Sequence, residues 1–215
     1  MPSIVLLHSD PAIARRLQAV IETHDGLRVT GIPDSVAAAR AVLAEATPDL
    51  LIVDLMLPAA HVRALLNGLR GNGQFGRPLV MALAVSVDDA RLMEALRHGA
   101  DAYFAQARSS ISLLATIVQT LNGESTMGPE IARHVRAHFD AAAWDESDFI
   151  GESQNPLRLS ESDQLLLQWT AEGYLVSEVA RGLQLSAHGV GVRIRNIYRK
   201  LQFDLRAAGL SLSPA

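Results

Sequence analysis

The chain has 215 residues, 49% of them apolar and 20% charged, and a net charge of −4 at pH 7. That balance suits one large domain or two small ones, excludes disordered, collagen-like and coiled-coil classes, and the absence of cysteine excludes disulfide frameworks, thiolate metal sites and cysteine nucleophiles. No apolar run reaches the roughly 18–20 residues that span a bilayer and no secretion signal opens the chain, so a soluble cytoplasmic protein is expected.

Five short apolar runs, Ile4–Leu7, Leu27–Gly31, Leu50–Val53, Leu79–Leu83 and Ala102–Phe104, predict strands. Amphipathic segments alternate with them at Pro11–Thr23, Ser35–Ala46, Ala59–Arg70, Asp88–His98 and Ser109–Leu121, with Ser9 or Asp10 capping the first helix and Asp34 or Ser35 the second. Strands each followed by a helix read as a parallel sheet covered on both faces. Residues 123–156 change character: Asn122-Gly123 breaks the fifth helix, Pro129–Phe139 can form one more, and the rest is acidic and polar, as in a linker. From Leu159 the pattern is helical, with Glu161–Glu172, Leu175–Gly182, Ala187–Leu201 and a short Asp204–Leu212. The expected domains are therefore 1–122, a linker with one helix at 123–156, and an all-α four-helix domain at 157–215.

Charge is unevenly spread along this order. Residues 1–122 carry 10 basic and 11 acidic groups, residues 123–156 carry 2 and 7, and residues 157–215 carry 7 and 5. Ala187–Leu201 holds Arg193, Arg195, Arg199 and Lys200 without one acid, which points to a polyanion or, as the plainer alternative, to a solvated helix face. Two helices joined by a tight turn, the second basic, match a helix-turn-helix for double-stranded DNA. Two other patterns carry no function. The glycine spacing from Gly71 to Gly76 follows a helix and runs into Pro78, so it lacks the strand-to-helix setting of a dinucleotide site. His134 and His138 share a helix face without a third ligand at useful spacing. No nucleophile, base and orienter are arranged together, so no enzyme is expected.

Asp54 stands apart. Ile52-Val-Asp-Leu-Met-Leu-Pro58 puts a carboxylate at the end of a buried strand. With Glu94-Ala-Leu-Arg-His-Gly-Ala-Asp-Ala-Tyr103 and Gly123-Glu-Ser-Thr-Met-Gly-Pro-Glu-Ile-Ala-Arg133, it makes residues 1–122 resemble a receiver domain, a flavodoxin-like doubly wound sheet. Glu178-Val-Ala-Arg-Gly-Leu-Gln-Leu-Ser186 and Asn196-Ile-Tyr-Arg-Lys-Leu201 make Leu159–Leu212 resemble the DNA-binding domain of NarL/FixJ (LuxR-type) response regulators. The resemblance implies a transcription regulator, Asp54 as the phosphoacceptor position, and a homodimer that sets two recognition helices on an operator.

The departures from that family matter as much. The resemblance calls for two acidic residues after the first strand to hold Mg²⁺, a Ser or Thr after the fourth and a Lys after the fifth. Here those positions become His8 and Ser9 (with Asp10 next in line), Ala84 and Gln106, and Tyr103 completes the pocket. Of the 19 basic residues only Lys200 is lysine, so no lysine exists to fill the fifth-strand position. Mg²⁺ binding and efficient phosphorylation are not expected, and a small ligand or protein partner at the receiver becomes the alternative input. His8 is read either as hydrogen-bonding or ion-pairing with Asp54, fixing one conformation, or as facing solvent. On the recognition helix, Ser186, His188, Val192, Arg193, Arg195, Asn196, Arg199 and Lys200 are the expected DNA-binding residues. Gly189 and Gly191 are expected to loosen its first turns. The competing readings are a conventional regulator phosphorylated at Asp54, and an interaction module that titrates partners without binding DNA.

Overall fold

The computed structural model describes residues 1–71, 77–87, 90–105, 110–145 and 158–210. Gln106, most of the glycine-rich loop and most of the acidic stretch before Pro156 lie outside the described residues. The chain divides into two compact units, Met1–Gly123 and Glu124–Ala215.

In the first unit, β1 (Ser3–Leu7), β2 (Arg28–Gly31), β3 (Leu50–Asp54), β4 (Leu79–Ala84) and β5 (Ala102–Ala105) pair in the order β2-β1-β3-β4-β5, every pair parallel. They alternate with α1 (Pro11–Ile21), α2 (Val36–Glu45), α3 (Ala59–Gly71), α4 (Ala90–His98) and α5 (Ser110–Leu121). Strands buried on both faces need apolar residues at every position rather than alternating ones, and β3 and β4 supply them. Ile4, Leu6, Ile52, Met81, Leu83 and Phe104 face one way and pack with Ala14, Ile21, Leu113 and Ile117 of α1 and α5. The alternate positions, among them Val5, Val53, Val80 and Tyr103, are buried on the other face. Asp10 and Ser35 are the caps chosen: Asp10 accepts from Ala12 and Ile13 N–H, and Ser35 from Ala38 N–H. At the opposite end of the sheet, Asp101 is buried and accepts from Val80 N–H at 2.9 Å and from Arg77 at 2.8 Å.

The second unit holds α6 (Pro129–Asp145), α7 (Glu161–Glu172), α8 (Val176–Gly182) and α9 (Ala187–Leu210). Two expectations change here. The segment expected as a linker begins inside this unit: Ile131, Ala132 and Val135 of α6 are fully buried, and α6 packs on α7. The expected fourth helix at Asp204–Leu212 is not separate, because α9 continues to Leu210. The reason is local: no glycine or proline stands between Gly191 and Gly209, so nothing stops the helix at Leu201. Ser160 and Asp163 form a capping box on α7, and Gly173, at φ 93°, ends it in the left-handed conformation. α7, α8 and α9 meet through Leu166, Leu167, Val179, Val190, Ile194, Ile197 and Leu201, all buried. Among the described residues no helix is long and apolar enough to cross a membrane.

Asp101→Ala should cost the first unit about 2–4 kcal/mol, because it strands the Val80 N–H and a mostly buried Arg77. A urea titration of the full chain, followed by a probe in that unit, checks this.

Candidate functional site

Strand order reverses between β1 and β3, so the loops leaving their carboxyl ends diverge and open a crevice there. The residues that reach it are His8 and Ser9 after β1 and Asp54 at the end of β3. Asp54 is completely buried, and both of its oxygens are engaged. Oδ2 accepts from the Ser9 hydroxyl at 2.7 Å and from Ser9 N–H at 3.3 Å, while Oδ1 accepts from Met56 N–H at 2.8 Å. Ser9 itself is exposed, so its hydroxyl stands on the solvent side of the carboxylate.

His8 does not face solvent, being 3% exposed, and its Nδ1 stands 3.5 Å from Asp54 Oδ2, within ion-pair distance but without a hydrogen bond. That nitrogen instead accepts from Asp10 N–H at 2.9 Å, which requires the neutral ring with its proton on Nε2. Nε2 is buried without a hydrogen-bond partner. The bond expected of His8 is made by Ser9. Asp10 is turned to α1: the N–H groups of Ile13 and Ala12 hold its carboxyl below the usual carboxylate range. Ala84 is buried at the end of β4, and Tyr103 is buried on β5 beside Ala82.

These residues do not fit Mg²⁺, which takes an octahedral set of oxygens led by carboxylates. One carboxylate whose oxygens already accept from protein donors, a neutral imidazole and a helix-capping aspartate do not make such a set. Among the described residues no group of three or more His, Cys, Asp and Glu could hold a metal.

In the second unit, α9 presents three flanks. Its core stripe, Val190, Ile194, Ile197, Tyr198 and Leu201, is buried. Opposite it, at helical spacing, lie His188, Val192, Asn196 and Arg199, with Arg195 at the border. Asn196, Arg199 and His188 are exposed, and Val192 and Arg195 are half-buried. Ser186 starts the helix, its hydroxyl accepting from Gly189 N–H at 2.9 Å. Arg193 and Lys200 lie to one side and turn toward α7. Lys200 Nζ donates to Asp163 Oδ2 and to the Arg158 carbonyl, each at 2.8 Å, and Arg193 stands 3.7 Å from Asp163 Oδ1. Their expected place on the DNA face is thus shared with a structural one. The outward strip is Val192, Asn196 and Arg199, the last two exposed.

The sequence reading passed over two acids that shape this surface. Asp163 was legible only as the last residue of a Ser160-x-x-Asp163 capping box. The other, Glu124, lies 2.9 Å from His188 Nδ1. Its signal was Gly191: far from merely loosening the helix, that glycine lets Glu124 approach, since a Cβ there would stand 2.9 Å from the Glu124 Cβ.

Burial alone would push the Asp163 carboxyl up. Hydrogen bonds from Lys200 and Ser160 outweigh it and hold the group below the usual carboxylate range. A carboxyl depressed on folding stabilises the unit above its unfolded value, and that stabilisation is lost as pH falls through the folded one. The urea midpoint of the second unit should therefore drop on acidification below about pH 4. Asp163→Asn should cost about 1–3 kcal/mol at neutral pH and flatten that acid dependence.

Comparison with known proteins covers both units. Residues 157–208 match the family described as bacterial regulatory proteins, luxR family. Over 212 residues the chain is 26% identical to the nitrate/nitrite response regulator protein homolog of Haemophilus influenzae, covering 97% of this chain and 94% of that one. Over 208 residues it is 24% identical to the nitrate/nitrite response regulator protein NarL of Escherichia coli K12, covering 95% and 91%. The structure of RcsB from Salmonella enterica serovar Typhimurium bound to a promoter shares the fold at a TM-score of 0.53 and 16% identity, covering 96% of this chain and 98% of that one. These likenesses run through both units: over nearly its whole length the chain is similar to response regulators, and residues 157–208 carry the match to the luxR family.

Proposed function

We propose that the protein regulates transcription by binding double-stranded DNA through α9, and that its receiver unit does so without phosphorylation of Asp54. The observation that carries the second half is the occupation of the Asp54 carboxylate by Ser9 and Met56. Phosphoryl transfer depends on positioning and on cations that absorb the developing charge. Here the acceptor oxygens are already bonded, His8 and Ser9 replace acidic ligands, Ala84 offers a methyl group, and no lysine precedes Lys200. The receiver then passes on a conformation set by a small ligand or a protein partner. DNA binding is supported by the luxR-family match and by the outward strip of α9, on which Arg199 is exposed and Arg195, at its border, half-buried. A homodimer would place two such helices in successive major grooves of an inverted repeat in the cytoplasm. The conventional reading, a regulator switched by phosphate, has one observation in its favour: Asp54 itself is kept at the end of β3.

After incubation with acetyl phosphate and Mg²⁺, the intact mass should show no phosphorylated species, and Asp54→Asn should bind DNA as the wild type does. A stable acyl-phosphate on Asp54 that tightens DNA binding would restore the conventional reading. In electrophoretic shifts with random-sequence duplex at varied salt, Arg199→Ala should weaken binding and lower the slope of log affinity against log salt by about one. No shift at any salt would leave the titration module as the surviving interpretation.

A further inference from the structure

The four residues that open the second unit lie along one flank of α9 and are fastened to it at three points. Glu124 Oε1 is 2.9 Å from His188 Nδ1, Ser125 N–H donates to the Gly191 carbonyl at 3.0 Å, and the Tyr198 hydroxyl donates to the Thr126 carbonyl at 2.9 Å. Ser125 and Met127 are buried. The fit depends on the missing side chain of Gly191: a Cβ there would also stand 3.0 Å from the Glu124 carboxylate. His188, which holds the head of this strap, belongs to the first turn of α9 and to its outward strip, 61% exposed.

A recognition helix enters the major groove with its N-terminal residues foremost. Phosphates of the groove wall then close on the flanks of its first turns. On one flank of α9 that space is taken by a backbone strap headed by a carboxylate, and a fixed negative charge facing a phosphate is repulsive. A duplex seated on the outward strip would meet the Glu124 carboxylate at His188.

We propose that Glu124–Met127 is an intramolecular mask of the recognition helix, displaced when DNA binds, with the Glu124 carboxylate as its anionic head. The proposal rests on the DNA-binding reading given above and deepens it. The strap follows directly on Gly123, the last residue of the receiver unit. A change of conformation at the end of α5 therefore has a covalent handle on the mask, and no phosphoryl group is needed to pull it.

The test uses the full chain and random-sequence duplex DNA. Glu124→Gln removes the charge and keeps the shape. Gly191→Ala pushes the strap away while favouring the helix. Glu130→Gln removes an equal charge from the first turn of α6, away from α9. The first two should raise affinity about tenfold, and the third should leave it unchanged. In the wild type, the Ser125 amide should exchange with solvent faster once DNA saturates the protein, a readout that needs no variant. An unchanged affinity in Glu124→Gln, an equal gain in Glu130→Gln, or a Ser125 amide still protected in the complex would each overturn the mask. Absence of binding by the wild type and every variant would instead overturn the DNA-binding reading, and the mask with it.

Discussion

A carboxylate at the end of a fully buried strand has to be compensated on the spot, and the means of compensation decides what the surrounding pocket can do. Asp54 is compensated by neutral donors, a hydroxyl and two backbone N–H groups, all belonging to residues that follow β1 and β3. Such a set is satisfied as it stands. It leaves His8 to bond the backbone at Asp10. The carboxylate at the switch point of the five-stranded sheet is thereby held by hydrogen bonds internal to the protein.

The second unit shows the opposite use of charge. α9 carries the basic cluster, and an acid attends it on each side: Asp163 holds Lys200 and stands close to Arg193, while Glu124 meets His188. Counting charges along the helix overstates what it presents outward, because Lys200 and Arg193 are partly neutralised by Asp163 within the fold. What remains outward is narrower and more polar than a basic helix face, with Asn196 and Arg199 at its centre. Discrimination between bases would then rest on few side chains, and affinity on the backbone contacts around them.

Most of the architecture was legible because it is written in local periodicity. Apolar runs of four to six residues, separated by amphipathic helices and punctuated by Pro11, Asp10 and Ser35, admit only a parallel layered sheet. Asp54 was legible because a charge there breaks an otherwise apolar strand. What escaped was what distance in the chain hides. Ser9 and Asp54 are 45 residues apart, Lys200 and Asp163 are 37, and His188 and Glu124 are 64. Composition does not show which of two adjacent residues, His8 or Ser9, reaches a carboxylate on another strand. The extent of α9 was missed for a different reason: the helical pattern was divided at Leu201, where no residue in the chain enforces a break.

That unbroken helix has a mechanical meaning. At 24 residues α9 is a rod about 36 Å long. Its first half is seated in the core of the unit and carries the outward strip, and its second half runs on past Leu201 in the same helical phase. A rod transmits rotation. Anything that held the far end would set the angle at which Val192, Asn196 and Arg199 are presented, through a single piece of backbone.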